Sequence, residues 1–412
     1  MLDNKISISK FTIFFIILPQ QTDKFFLTMD AKSAQYIEQE LVISTTTNAA
    51  DKSSFDYMRG NNQIIYDDGT KVNNTLSTNF LGFDNMLISA PNRVMGNYHC
   101  GIDDSLYELQ MQISRFLGTD ETLVLGSYEG LCAEIMEVLL NTEDVVIYDA
   151  AMSVPLRRGV KYCQAEKLRY PHNDMAKLEE HLKLSQLKRL RVIVTDGIFF
   201  DSGDCANLKE IRQLAAEYDA LVIVDDSFGF LTASKNGKGS DAHCGVSGFQ
   251  DLKIVNMQNA LCCNTGVFVT GDRNLVNLLK LRSKTYRYSL SPSEGDVCTA
   301  KSVIETIRKD PSPISIMHNK AHHLCEILTK AGFKCNNPAA GIVSFLTDFP
   351  VGRVKDTLRA LGFVAMYTKI GKQTLVSLKV SASCDFDVNK EKKSSIKHTK
   401  IEDNLLFLEN FI

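Results

Sequence analysis

The sequence predicts an α/β protein with a mostly parallel central sheet sandwiched by helices, followed by a smaller C-terminal α+β domain. Three observations carry that expectation. Short β-branched runs at 145–148, 191–195, 220–224, 253–255 and 266–270 alternate with amphipathic segments at 132–140, 175–184, 208–218 and 275–281. Such nearly continuous apolar strands need cover on both faces, as in a parallel sheet with crossover helices. A chain of 412 residues also exceeds what one core holds, because single cores stop growing near roughly 250–300 residues.

Taken in order, residues 1–75 read as an N-terminal extension and arm. The apolar run 11–18, preceded by Lys5 and Lys10, is eight residues long and too short to span a bilayer, which takes about 20. No small-residue cleavage site follows it. Three readings rank in this order: an extension ahead of a second start at Met29, a membrane-surface anchor, and a signal peptide. Residues 33–57 are polar with one helical patch at 36–42, and an extended section at 63–66 leads into a turn at 67–69.

The large domain is expected over 76–295. From Asp104 the apolar residues Leu106, Leu109, Ile113, Phe116 and Leu117 recur at helical spacing and stop at Gly118. The small domain is expected over 296–412: a helix at 296–308, an Asp-Pro-Ser-Pro break at 310–313, a helix at 315–331, then strands at 341–346 and 374–380 around a helix at 354–361. The basic run 390–400 reads as a solvated loop ahead of a last helix.

Composition narrows function. A formal charge of −3 gives no basic field for nucleic acid. Eleven cysteines lie at irregular spacings with no CxxC pair, which indicates neither a disulfide framework nor a zinc site and fits a reducing, intracellular compartment. His99-Cys100, His243-Cys244 and Cys262-Cys263 are sequence neighbours that point apart, so they read as buried or loop cysteines. The glycines at 237 and 239 read as a turn, and no GxSxG is present.

In parallel sheets ligands sit beyond the carboxyl ends of the strands, so Asp149, Asp196, Asp225 and the turn 256–259 are the candidate site. Asp225 has two readings of similar weight: a cofactor-facing carboxylate, or a strand-terminal Asp capping the next turn.

Several segments carry a resemblance: STNFLGF at 77–83, LYELQMQISRFLGTDETLV at 106–124, and TDGIFFDSGDCANLKEIRQLAAEYDALVIVDDSFG at 195–229. In order, they resemble the α-oxoamine synthases, pyridoxal phosphate (PLP) enzymes of the PLP-transferase fold type I that join an amino acid to an acyl-coenzyme A. Within that family HNDM at 172–175, MQNALCCNTGVFVTG at 257–271 and YRYSLSP at 286–292 are most similar to the lysine-less long-chain-base subunit of serine palmitoyltransferase. The resemblance implies that Asp225 is the partner of the cofactor's pyridine nitrogen.

The departures from the family then decide the reading. Its Lys-Ala-Leu-Gly-Gly becomes Asn259-Ala260-Leu261-Cys262-Cys263, and an amide cannot form a Schiff base. Lys253 lies six residues upstream, out of register. The ring-stacking histidine becomes Ser153, and the phosphate turn Gly126-Ser127-Tyr128-Glu129-Gly130 carries a carboxylate where it competes with phosphate. Asp225-Asp226-Ser227-Phe228 keeps the Asp and loses the His, and the glycine-rich loop after Cys100-Gly101 is short.

By resemblance, this chain has no catalytic residue of its own and Asp225 is vestigial. PLP is bound covalently by a lysine-bearing catalytic partner in a heterodimer. Cys100 lies near the shared substrates, L-serine and palmitoyl-CoA, and Ser289 and Ser291 reach the partner's PLP phosphate. The product is then 3-ketosphinganine, made at the cytoplasmic face of the endoplasmic reticulum membrane. Two alternatives stay open: an active homodimer like 2-amino-3-ketobutyrate CoA ligase, and a degenerate scaffold with no active-site role.

Overall fold

The computed structural model describes residues 57–59, 63–65, 71–73, 75–83, 104–246, 251–259, 261–330, 333–360 and 362–384. The apolar run 11–18, the helical patch 36–42, the turn 67–69, Cys100 and its short loop, the basic run 390–400 and the last helix lie outside them.

Strands β1 (Tyr57–Arg59), β2 (Gln63–Ile65) and β3 (Lys71–Asn73) form a small antiparallel sheet. It is tied to the C-terminal lobe, since Asn73 N donates to Gly362 O at 2.8 Å and Lys379 N to Thr75 O at 2.8 Å.

The central sheet has seven strands: β4 (Glu121–Leu125), β5 (Val145–Asp149), β6 (Glu166–Tyr170), β7 (Arg191–Asp196), β8 (Leu221–Asp225), β9 (Leu252–Asn256) and β10 (Val267–Gly271), in the order β4-β10-β9-β8-β7-β5-β6. All ladders from β9 to β6 are parallel; β10 runs against both β9 and β4. Alternate residues of each strand bury opposite faces. Val146, Val194, Ile254 and Val269 pack under the helices Tyr128–Leu139, Val154–Tyr162 and Arg273–Arg282. On the other face Ile147, Ile193 and Val224 pack under Met175–Leu184 and Leu208–Glu217, and Val255 and Phe268 under Asp104–Leu117 and Glu294–Lys309. Each fully buried Val, Leu, Ile or Phe contributes roughly 1.5–3 kcal/mol.

The small lobe carries β11 (Ile342–Thr347), β12 (Met366–Ile370) and β13 (Gln373–Lys379), an antiparallel sheet in the order β11-β13-β12, with the helices Ser312–Lys330 and Val351–Ala360. The mostly parallel sheet between helices and the small α+β lobe match the expected fold.

The elements the sequence reading left out have physical reasons. β6 and β12 are edge strands whose side chains are largely solvated, so they lack an apolar signature. β4 is a short run directly after a helix, where periodicity cannot tell strand from helix. The helix Val154–Tyr162 starts with a proline in its first turn and buries only Leu156, Gly159 and Val160.

Candidate active site

The carboxyl ends of the parallel strands bring the expected acids together. Asp196 and Asp225 are register partners on β7 and β8, and both are buried. Burial, then the charge of Asp225, pushes the Asp196 carboxyl well above the ordinary range. Ser153 N donates to both Asp196 oxygens, at 3.2 and 3.0 Å. Thus the serine that stands where a stacking histidine was expected holds an acid through its backbone instead.

Both oxygens of Asp225 are already taken. Oδ2 accepts from the phenol of Tyr128, and Oδ1 from Ser227 N at 3.0 Å and from the Ser227 hydroxyl. Burial raises the Asp225 carboxyl, against the lowering by these donors, and burial and then Asp225 raise the Tyr128 phenol. Tyr128 opens the helix Tyr128–Leu139, capped by Ser127 Oγ accepting from Gly130 N at 3.0 Å. Helical geometry turns Tyr128 inward and its neighbour outward: Glu129 is exposed and pairs with Arg158 at 3.5 Å. The expected conflict between Glu129 and a phosphate therefore gives way to an inward-facing tyrosine.

Ser227 also binds the lysine-replacing residue. Asn259 is buried, and its Nδ2 donates to Ser227 O at 3.3 Å; Ser227 Oγ accepts from Asn256 N at 2.8 Å. The turn beyond Asn259 is fixed by Asp296, which accepts from Asn264 N at 2.6 Å and Thr265 Oγ1 at 3.1 Å. Cys262 sits in that turn at φ 54°, a left-handed conformation that suits the glycine expected there and costs a cysteine roughly 1 kcal/mol or more.

Two lysines among the described residues are fully or nearly fully buried, and neither stands in for the missing one. Lys253 points from β9 to the loops behind the sheet, where Nζ meets Asp226 Oδ2 at 3.1 Å and Asp241 Oδ1 at 2.5 Å. Lys379, on β13, lies 3.9 Å from the centre of the Phe200 ring and 3.0 Å from Met366 Sδ, and burial lowers its amine to about 8.

At the end of β5, Asp149 accepts from Ala151 N at 2.7 Å and Asn173 N at 2.9 Å and meets His172 Nδ1 at 3.2 Å. The other His172 nitrogen lies 3.6 Å from Asp204. Burial pulls the imidazolium down, but the bonds to Asp149 and then Asp204 outweigh it and raise His172 to about 9. His172 lies in the HNDM segment, where local sequence does not show that it meets two acids.

The 286–292 segment rests on this chain's own turn. A Cβ on Gly126 would stand 1.9 Å from Leu290 O, and one on Gly130 2.9 Å from Thr285 Oγ1. Glu134 anchors the residues just before that segment, accepting from the Ser283 hydroxyl and from Lys284 N at 3.0 Å. Ser291 is buried and Ser289 half-buried, its N donating to Thr285 O at 3.1 Å.

These residues do not fit a cofactor held covalently by this chain. The lysine position holds an amide bound to a backbone carbonyl, and the carboxylate that would meet a pyridine nitrogen already accepts from Tyr128 and Ser227. Tyr128 and Ser227 are the residues sequence reasoning missed: both lay inside quoted motifs, but nothing local says that they meet.

The sequence profile of the family described as "Aminotransferase class I and II" matches residues 96–348. The chain is 33% identical over 283 residues to 2-amino-3-ketobutyrate coenzyme A ligase of Escherichia coli K12, covering 66% of this chain and 71% of that one. It is 26% identical over 269 residues to serine palmitoyltransferase of Bacteroides ovatus, covering 63% and 68%. In fold it is similar to Sphingomonas wittichii serine palmitoyltransferase, with a TM-score of 0.74 at 17% identity over 92% of this chain and 97% of that one. The PLP-dependent fold type I is thereby shown, and the chain belongs to the aminotransferase class I and II family, among α-oxoamine synthase relatives.

Proposed function

We propose that this chain is the non-catalytic, lysine-less subunit of a serine palmitoyltransferase heterodimer, supporting the condensation of L-serine with palmitoyl-CoA to 3-ketosphinganine. The carrying observation is the chain Asn259–Ser227–Asp225–Tyr128: an amide replaces the amine, and donors of this chain occupy the carboxylate that would hold the ring. PLP is then carried by the lysine-bearing partner. Cys100, Ser289 and Ser291 are lent to the partner's site, with Ser289 and Ser291 held in place by the Gly126 turn. Asp225 survives as part of the framework. The work is placed at the endoplasmic reticulum membrane by its lipid product; among the described residues no helix is long and apolar enough to cross a membrane.

The test incubates the isolated chain with PLP, reduces with borohydride and maps peptides, beside co-expression with a lysine-bearing partner. No labelled lysine in the isolated chain, with condensation only in the complex, is the expected result. The 33% identity to a 2-amino-3-ketobutyrate ligase favours a second reading, an active homodimer. A PLP-labelled lysine with ligase turnover in the isolated chain would establish that reading. Condensation that needs this chain yet ignores Ser289→Ala and Ser291→Ala would leave it as a scaffold.

A further inference from the structure

We propose that Cys205 and Cys244 form a redox-active dithiol, a modification site in which Cys244 attacks a small disulfide and Cys205 resolves it to an intramolecular disulfide. The two thiols are 39 positions apart in sequence and their sulfurs are 3.3 Å apart. Both are half-buried, and each is a free thiol. They come from different loops: Cys205 follows the turn after β7, and Cys244 ends the short helix Ser240–His243.

The contact between them shifts the two thiols in opposite directions, which favours Cys244 as the attacking sulfur. The contact with Cys205, in which either sulfur can donate, lowers the Cys244 thiol and burial works against it; Cys244 Sγ also lies 3.6 Å from Ala206 O. Cys205 is raised by its contact with Cys244 and then by burial. Two thiols at contact distance, one of them the more readily ionised, supply a nucleophile with its resolving partner in place. The carboxylates of Asp226, Asp241 and Asp204 oppose thiolate formation.

With oxidised glutathione as the oxidant, Cys244 sulfur attacks one glutathione sulfur and the other leaves as glutathione thiolate, which takes up a proton. Cys205 then gives up its proton, its sulfur bonds to Cys244 sulfur, and the second glutathione leaves. Two protein thiols are oxidised while one glutathione disulfide is reduced to two thiols. An S–S bond of about 2.05 Å asks the sulfurs to close by only about 1.2 Å.

The location gives the bond a consequence. Ser202 O, three residues before Cys205, accepts from Asn336 Nδ2 at 3.0 Å in the small lobe, and Cys205 O accepts from Asn173 Nδ2 at 3.2 Å. The cross-link therefore fastens the loop that joins the strand-end site to the small lobe.

The experiment exposes the full chain to a graded ratio of oxidised to reduced glutathione, alkylates the remaining thiols and maps peptides without reduction. Expected is one linked pair, Cys205 with Cys244, a loss of two hydrogens from the chain and a rise in Tm that a dithiol reductant reverses. Cys205→Ser should trap glutathione on Cys244, whereas Cys244→Ser should leave Cys205 alkylatable. The proposal is overturned if both thiols stay alkylatable while other cysteines react first, or if Cys205→Ser leaves Cys244 unmodified. None of these readouts depends on whether the chain is catalytic.

Discussion

The phenol of Tyr128 donates to Oδ2 of Asp225, from a helix start to a strand end 97 positions away in sequence. This one bond joins the turn expected to cradle a phosphate to the acid expected to face a pyridine nitrogen. The acid is thereby engaged within this chain by Tyr128 and Ser227.

Restoring the lysine alone should therefore restore nothing. Asn259→Lys places an amine in a buried turn, yet Tyr128 and Ser227 still hold Asp225 and Ser153 still holds Asp196. The isolated variant should show no visible Schiff-base absorbance with PLP and no condensation; full turnover would contradict the reading of this site.

Gly126→Ala should impair the complex without removing any reactive group. Its Cβ would stand 1.9 Å from Leu290 O, so the segment carrying Ser289 and Ser291 must move. Partner-dependent condensation should fall by up to about a hundredfold, the loss a shift of about 1 Å in a positioning element can cause. Turnover assayed at saturating substrates with Gly126→Ala in the co-expressed complex provides the measurement.

Lys253→Met should destabilise the chain strongly. It leaves Asp226, which is fully buried, without its ammonium at 3.1 Å, a loss of about 3–5 kcal/mol. Lys253→Met with Asp226→Asn should recover part of that, because the fully buried charge is gone, while the partly buried Asp241 still lacks its ammonium. Urea midpoints of the three proteins decide it.

The pH dependence of stability should carry a signature of His172. Its folded value lies at about 9, above the ordinary value near 6.5, so protonated His172 stabilises the native state. That contribution is fully present below about pH 6.5 and fades as pH rises through about 9. The Tm difference between the native chain and His172→Gln should shrink across that window; a constant difference would exclude the role.

Cys262→Gly should stabilise by about 1 kcal/mol, since glycine adopts φ 54° without the Cβ conflict a cysteine meets. The gain is partly offset by the greater freedom of glycine in the unfolded chain. Equal or lower urea stability would show that the contacts of the cysteine outweigh its backbone strain.

The sequence by itself determined the strands that end in Asp149, Asp196 and Asp225, the helices between them, and the asparagine at 259 where the family resemblance implies a lysine. Those features are local: periodicity, β-branched runs and the identity of a residue in a motif. It read Glu129 as the residue obstructing the phosphate turn, but helical phase points that side chain to solvent and Tyr128 inward.

Tertiary structure alone decided which of those residues meet. The sheet order sets β8 beside β7 and β9, and so places Asn259 on Ser227 and Asp196 beside Asp225. It likewise sends Lys253 behind the sheet to Asp226, lays Leu290 on Gly126 and brings Cys205 to Cys244. Each depends on contacts between segments far apart in the chain, which local hydrophobic pattern does not encode, because burial fixes which face a residue takes but not which distant residue it finds there.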